Sequence, residues 1–418
     1  LLSKKISENL SLEIKTQTIY FVFLSILSIS LVNYEYWETD IGGKFFLILI
    51  FLLLLFDSIK TNNNFLNFFV GSFSAVSMFW YIDIGAYLNA FIFFLIIYLI
   101  YRKEYKKFSF ILSGLMLSWA FFLIFLPNNE INAFYENTKT IFLNADYIDG
   151  LIYPTPFISK DPRSTRALLL IILTGILVII FNFNKKIKAK TEVKIFFSLL
   201  YLLNILIFKS ALVRADTPHI RGASSLLMFL LISIVLYFVI TGLISFYKNK
   251  SSNKNFYTLQ RFYLIIPLTI LFLNFFLIPV NSINLKKAAY SFTDIKKLLT
   301  QDDGDYLSED YIAMLDYYKN LVKDEKCIQI FTNEAAIPYL LKKPTCSKFY
   351  LMWVSSPVKN QRLFVEELKF FRPQFILFNS EKEIYRHTHV KLPIVLDFIN
   401  TNYSFHSKFK SWTFVKLK

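Results

Sequence analysis

Long apolar stretches alternate with short polar connections over the first two thirds of the chain. An α-helix needs about 20 mainly apolar residues to cross the hydrocarbon core of a bilayer. The pattern predicts nine membrane-spanning helices, with cores at 19–32, 44–56, 65–81, 87–101, 108–126, 166–183, 195–208, 226–247 and 263–280. The apolar stretches end near Val280, and the sequence therefore predicts a helical membrane domain, 1–280, followed by a soluble domain, 281–418.

The composition also indicates a membrane protein. Hydrophobic residues make up 55% of the 418 positions, phenylalanine alone numbers 47, and the mean hydropathy is +0.45. These values are far from those of ordinary soluble domains. The first residues, LLSKKISENLSLEIK, are neither a signal peptide nor a typical terminus, so we expect further sequence upstream of Leu1.

The net charge of +16 would suggest a nucleic-acid partner in a soluble protein, but here each charge is first assigned to a side of the membrane. Three connections between predicted spans, 102–107, 184–194 and 248–255, are short and basic. They occur at alternate connections, as one consistent topology requires, and are predicted to be cytoplasmic. We therefore expect membrane lipids, and no nucleic acid, as partners. The predicted external segments are 33–44, 81–87, 127–165, 209–225 and the domain after residue 280.

The C-terminal domain has the periodicity of a small α/β layer, because apolar strand-like runs alternate with amphipathic helical patterns. The predicted strands are 326–332, 373–379 and 410–417, and the predicted helices are 310–324, 334–343 and 361–371. Cys327 and Cys346 are the only cysteines. They could form a disulfide in an oxidising compartment or remain two thiols, since spacing alone does not fix their geometry.

The stretch KSALVRADTPHIRGASS, 209–225, places several charges between two apolar runs. Arginine suits bidentate phosphate binding close to an apolar wall. Arg214, Arg221 and Lys209 are therefore candidates for binding a lipid-linked phosphate, and Asp216 and His219 are candidates for catalysis or metal binding. The alternative is a solvated turn whose arginines contact lipid headgroups.

Two further external segments carry candidate residues. Asp83 follows an aromatic run near the end of a predicted span, where a carboxylate is costly unless it is paired, although it could also be an exposed acid in a turn made by Gly85. The long loop 127–165 supplies Asp149, Tyr153 and Arg163 as candidate substrate-binding residues. Its proline and aromatic content predicts an ordered, extended path, and the alternative is an aromatic belt at the interface.

Glu38 and Asp40 form a third candidate in the first external loop. Two carboxylates at positions i and i+2 can share a divalent ion or flank a reacting hydroxyl group. This spacing also occurs often by chance. A divalent metal is therefore a candidate cofactor without being required.

The blocks WYIDIGAYLN, LIYPTPFISKDPRSTR, FKSALVRADTPHIR and FTNEAAIPYLLKKPTCSKFY, together with the arrangement of the spans, resemble the glycosyltransferase C superfamily. The resemblance implies a multi-pass protein of the bacterial inner membrane with a periplasmic C-terminal domain. It implies transfer of a sugar from a polyprenyl-phosphate donor to a glycan, lipid or protein acceptor. It also implies a catalytic acid in a large first external loop, which Glu38 and Asp40 match by ExD spacing only.

Two other functional hypotheses remain open. An O-antigen polymerase or ligase also uses external arginines and a histidine near a lipid pyrophosphate, but usually lacks a substantial C-terminal α/β domain. A transporter or scaffold would use the C-terminal domain for binding. Transport predicts charged or broken helices near the bilayer midplane, where this chain has only the uncharged Asn67, Asn89 and Asn204.

Overall fold

A computed structural model of the chain describes residues 1–31, 41–61, 63–149, 155–159, 163–185, 187–213, 217–248, 300, 307–332, 334, 336–350, 352–379 and 392–418. The described residues divide into two compact units. The helical unit lies within Leu1–Asn132 and Tyr153–Phe292, and the α/β unit lies within Ala133–Ile152 and Thr293–Lys418. The predicted domain boundary after residue 280 and the ninth predicted span fall outside the described residues.

Helices follow the apolar stretches through the first part of the chain. They are α1 Leu2–Asn9, α2 Ile14–Leu31, α3 Ile41–Lys60, α4 Asn64–Trp80, α5 Ile82–Tyr101, α6 Tyr105–Phe125, α7 Asn128–Asp149, α8 Arg163–Phe183, α9 Thr191–Val213 and α10 Thr217–Lys248. Each of the first eight predicted spans lies in one of these helices, apart from single end residues.

Five helical segments in the described part of the chain are long and apolar enough to cross a membrane. They are Ile82–Tyr101, Tyr105–Phe125, Ser164–Phe183, Thr191–Lys209 and Ala223–Ile244. In α2 the apolar segment is the shorter Ile14–Leu27. Helix α4 has 17 residues, which at 1.5 Å per residue is roughly 25 Å of helix. The structure therefore supports a helical membrane protein with five candidate spans and leaves the predicted number of nine as an expectation.

Helices α4 and α6 pack closely and in parallel. Their contacts advance together along both chains: a hydrogen bond joins Trp119 to Ser74 at 2.8 Å, and the stacked rings of Phe79 and Phe122 are 4.4 Å apart. Close approach is possible because Gly114 lies against the backbone of Phe68, where a side chain would not fit. Small residues at such contacts let helix backbones approach each other in apolar surroundings.

One end of the helical unit, which we call the Lys5 end, is defined by contacts between α1, α3, α4 and α9. The Lys5 ammonium binds the Asp57 carboxylate at 2.6 and 2.8 Å. The Lys190 amide donates to the carbonyl of Asn9 at 3.3 Å, which places the start of α9 at this end. The connection 102–104 and the described residues of 184–190 lie at the Lys5 end, so the structure brings together parts of two of the three connections predicted to be cytoplasmic.

The opposite end, which we call the Asp83 end, follows from the direction of each helix. Helices α4, α6 and α9 run away from the Lys5 end, and α5 returns toward it. Helix α8 is antiparallel to α9, because Ile171 contacts Tyr201 whereas the later Phe181 contacts the earlier Phe197. The N-terminal ends of α5, α8 and α10 and the C-terminal end of α9 therefore share the Asp83 end.

Two predicted external segments, 81–87 and 209–225, contain more helix than expected. In 81–87 only Tyr81 is non-helical, because Gly85 packs against the backbone of Met78 and allows a one-residue joint between α4 and α5. In 209–225 the helices extend to Val213 and resume at Thr217. Pro218 lies in the first turn of α10, where its missing N–H costs nothing.

The long segment 127–165 was predicted to be an extended loop, and its first part is a helix instead. Helix α7 covers Asn128–Asp149, with a kink at Asn144. Apolar residues recur at helical spacing in this helix, at Ile131, Phe134, Tyr135 and Phe142, although the polar residues between them resemble a loop.

The α/β unit contains a four-stranded sheet with helices on both faces. Its helices are α11 Glu309–Leu321, α12 Ala336–Leu340, α13 Val358–Phe371 and α14 Pro393–Asn402, with a 3₁₀ turn at Met352–Ser355. Its strands are β1 Gln329–Phe331, β2 Phe375–Asn379, β3 Tyr403–Phe409 and β4 Trp412–Leu417. Strand order is β1-β2-β4-β3; the β1–β2 pair is parallel, and the β2–β4 and β3–β4 pairs are antiparallel.

Alternation along β2 divides the core of the α/β unit into two layers, because successive strand residues point to opposite faces. Leu377 packs with Tyr318 of α11 and Phe414 of β4. Ile376 packs with Phe364 of α13 and Val395 of α14. The predicted α/β layer and its three strands are present, and β3 and α14 were not predicted.

Candidate functional site

Asp83 is held at the N-terminal end of α5. Its carboxylate accepts a hydrogen bond of 2.8 Å from the backbone N–H of Ile84, and its side chain is half-buried. An acid in the first turn is stabilised by the partial positive charge of a helix N-terminus. Asp83 is therefore not an acid in a solvated loop, as one interpretation of the sequence had it, but a carboxylate fixed at one end of a candidate span.

A polar cluster that was not predicted from the sequence joins α4, α5 and α6. The Asn89 amide donates to the carbonyls of Ser74 and Gly85 at 2.9 and 2.8 Å. The hydroxyl of Ser74 donates to the Asn89 side-chain oxygen and accepts from the Trp119 indole N–H at 2.8 Å. These bonds satisfy polar groups that would be costly in hydrocarbon, and they fix the helix that begins next to Asp83.

Residues of the stretch 209–225 lie on both sides of the connection between α9 and α10. Lys209 is exposed on the last turns of α9, and His219 and Arg221 lie in the first turns of α10. Arg214 and Asp216 fall in the three residues outside the described part of the chain. The C-terminal end of α9 and the N-terminal end of α10 both lie at the Asp83 end. The stretch 209–225 therefore belongs to that end of the helical unit.

The remaining candidates from the sequence are only partly described. Arg163 is the first residue of α8, at the Asp83 end, and Asp149 is the last residue of α7. Tyr153, Glu38 and Asp40 lie outside the described residues. Among the residues that are described, no cluster of three or more His, Cys, Asp or Glu side chains could hold a metal ion.

Cys327 and Cys346 form a disulfide, with their Cα atoms 5.0 Å apart. The bridge joins the start of β1 to the loop after α12, where Cys346 N–H also donates to Ile328 O at 2.8 Å. The alternative of two unpaired thiols was wrong. Spacing could not decide between the two because a 19-residue separation says nothing about the distance in space.

Polar side chains also collect where the parallel strands β1 and β2 end. Thr332 follows β1, and the amide of Asn379, the last residue of β2, lies 3.4 Å from the Glu334 carboxylate. Burial, followed by the Glu334 charge, raises the pKa of the nearby Tyr311 above its ordinary range. Carboxyl ends of parallel strands are the usual binding edge of α/β sheets, so this edge is a second candidate site.

Comparison with known proteins finds no matching family, no matching curated protein and no matching solved structure.

Proposed function

We propose that this chain is a membrane glycosyltransferase that transfers a sugar from a polyprenyl-phosphate donor to a cell-envelope glycan, lipid or protein acceptor. The observation that carries the proposal is the gathering of one half-buried acid, Asp83, and the N-terminal ends of α5, α8 and α10 at the Asp83 end. An acid and cationic groups beside a bilayer are what such a transfer needs.

The charge pattern at this end favours an anionic ligand. Arg163 begins α8, and Arg221 lies near the start of α10. A cation near a helix N-terminus is unfavourable, because the aligned peptide dipoles already place partial positive charge there. A bound phosphate would offset this repulsion, and backbone N–H groups at helix N-termini commonly bind phosphate.

The proposed reaction assigns one role to each charge. Asp83 removes the proton from an acceptor hydroxyl, whose oxygen forms a bond to the anomeric carbon of the sugar. The bond between that carbon and the phosphate oxygen breaks, and polyprenyl phosphate leaves. Arg214, Arg221 and Lys209 stabilise the negative charge that develops on the leaving phosphate.

The disulfide supports an extracytoplasmic location for the α/β unit. Disulfides persist in oxidising compartments and are rare in the cytosol. The proposal therefore assigns the Asp83 end and the α/β unit to the outer face of a bacterial inner membrane, as the positions of the basic connections also suggest. In this arrangement the α/β unit helps to receive the acceptor.

Binding of polyprenyl phosphate to the full-length chain in lipid vesicles tests the phosphate site. We expect the double variant Arg214→Ala/Arg221→Ala to lose most of the binding of labelled polyprenyl phosphate. The matched control is Arg102→Ala, which removes an exposed arginine at the Lys5 end and should leave binding unchanged. Equal binding by the wild type and the double variant would show that these arginines do not bind the phosphate.

A further inference from the structure

Helix α7 presents an apolar face to solvent. Tyr135, Phe142 and Leu143 are 62%, 52% and 74% exposed. With Lys139 they occupy positions i, i+4, i+7 and i+8, which lie on one side of an α-helix. This face, which we call the α7 outer face, is unusual for a helix surrounded by water, because three large apolar side chains are left uncovered on it.

The composition of the α7 outer face matches a membrane interface. Tyrosine is enriched where a bilayer meets water, and lysine extends its apolar stem along such a surface while its ammonium stays in water. The Lys139 ammonium lies 6.0 Å from the centre of the Tyr135 ring. Glu136 lies at the edge of the face. Its carboxylate oxygen Oε2 is 3.4 Å from the Lys359 ammonium of α13, which offsets its negative charge.

Chain continuity places α7 beside a bilayer if α6 spans it. Helix α6 ends at Phe125 and α7 begins at Asn128. The two residues between them, Leu126 and Pro127, can extend roughly 7 Å at most. Pro127 O accepts hydrogen bonds from the N–H groups of Glu130 and Ile131, which start the new helix at once.

We infer that the α7 outer face lies on the membrane surface, with Tyr135, Phe142 and Leu143 in contact with lipid at the boundary between headgroups and acyl chains. The inference depends on α6 as a membrane span and does not depend on the proposed enzymatic activity. It assigns to α7 the role of an interfacial helix.

Spin labelling of the full-length chain tests this contact. Both cysteines are joined in the disulfide, so a single new cysteine is the only free thiol. The variants are Phe142→Cys and Tyr135→Cys on the α7 outer face, with Asn137→Cys as a control at an exposed position on another side of the helix. Each variant is labelled with a nitroxide in vesicles of phosphatidylcholine and phosphatidylglycerol.

We expect molecular oxygen, which concentrates in lipid, to relax the labels at 135 and 142 more strongly than a water-soluble nickel chelate does, with the reverse order at 137. Stronger relaxation by nickel at 135 and 142 would place the face in water and overturn the inference. Weak relaxation by both reagents at 135 and 142 would mean that protein covers the face, such as a second copy, and would also overturn it.

Discussion

Gly71 of α4 lies directly against the backbone carbonyl of Ile111 in α6, so closely that a Cβ atom on Gly71 would be 1.9 Å from that oxygen. Gly114 has the same relationship to the Phe68 carbonyl, at 2.0 Å. Because the blocking atoms belong to the backbone, a larger residue cannot be accommodated by a change of rotamer. The two glycines are therefore what allows α4 and α6 to form their tight parallel pair.

Replacement of Gly114 by leucine should separate these two helices. We expect Gly114→Leu to lower the free energy of unfolding by at least about 2 kcal/mol, since overpacking of a close contact is costly. Thermal unfolding of the detergent-solubilised chain measures the effect. Met116→Leu introduces the same side chain on the exposed face of α6 and should leave the unfolding temperature unchanged. Equal stability of the two variants would contradict the close α4–α6 contact.

Lys343 caps the C-terminal end of α11. Its ammonium donates to the backbone carbonyls of Val322, Lys323 and Glu325 at 2.5, 2.9 and 2.5 Å. We expect Lys343→Met to cost about 1.5–3 kcal/mol, because it leaves carbonyls without a charged donor at the negative end of a helix dipole. Hydrogen exchange of the last turn of α11 should accelerate. The neighbouring exposed lysine provides the control, Lys342→Met, and similar acceleration in both variants would argue against the cap.

The disulfide between Cys327 and Cys346 should stabilise the α/β unit. A bridge that closes a loop of this length contributes about 3 kcal/mol, mainly by restricting the unfolded chain. The double variant Cys327→Ser/Cys346→Ser should therefore unfold at a lower denaturant concentration, as should the wild type after reduction. Reduction should not change the double variant further. If reduction left the wild type unaffected, the bridge would have no part in stability.

High pH should destabilise the α/β unit through Tyr403. Burial is the largest cause that raises the pKa of Tyr403 from 10.0 to about 12, and its hydroxyl donates to the carbonyl of Pro373 at 3.0 Å. The folded state thus keeps a proton that the unfolded state releases above pH 10. The stabilisation is complete below that pH and is lost as pH rises toward 12, by up to about 1.4 kcal/mol per pH unit.

Denaturant unfolding of the α/β unit within the full chain, at several values of pH from 9 to about 12, checks this titration. Tyr403→Phe has no proton to lose, so its stability should fall less steeply over the same range. Burial also raises the pKa of Tyr318, which sets a background slope common to both proteins. Identical slopes for the wild type and Tyr403→Phe would contradict the assignment to Tyr403.

The sequence predicted the long apolar helices, because continuous hydrophobic runs such as those of α5 and α10 have few other solutions. It did not predict α7, because polar residues interrupt the helical pattern of apolar positions and make the segment resemble a loop. These residues include Asn129, Asn132, Glu136 and Asn137. The single-residue joint at Tyr81 was also missed. The joint depends on the contact of Gly85 in α5 with Met78 in α4. A contact between two helices cannot be predicted from the sequence pattern of either helix alone.

The candidate site was predictable as a set of residue types but not as an arrangement. Charge and position singled out Asp83, Lys209 and Arg221, and helix direction in the structure brings their helix ends to the Asp83 end. The cluster of Ser74, Asn89 and Trp119 could not be predicted, because serines and asparagines in apolar runs satisfy their hydrogen bonds with partners on other helices.

Sugar transfer by the full-length chain is the most direct test of the proposed function. The measurement is release of polyprenyl phosphate from lipid-linked sugars in membranes of native cells that lack the gene and carry the wild type or a variant. We expect release with the wild type, loss of release with Asp83→Asn, and normal release with Glu130→Gln, which removes an exposed acid near the start of α7. Release that is equal in the wild type and Asp83→Asn, or absent from both, would contradict an enzyme whose catalytic base is Asp83.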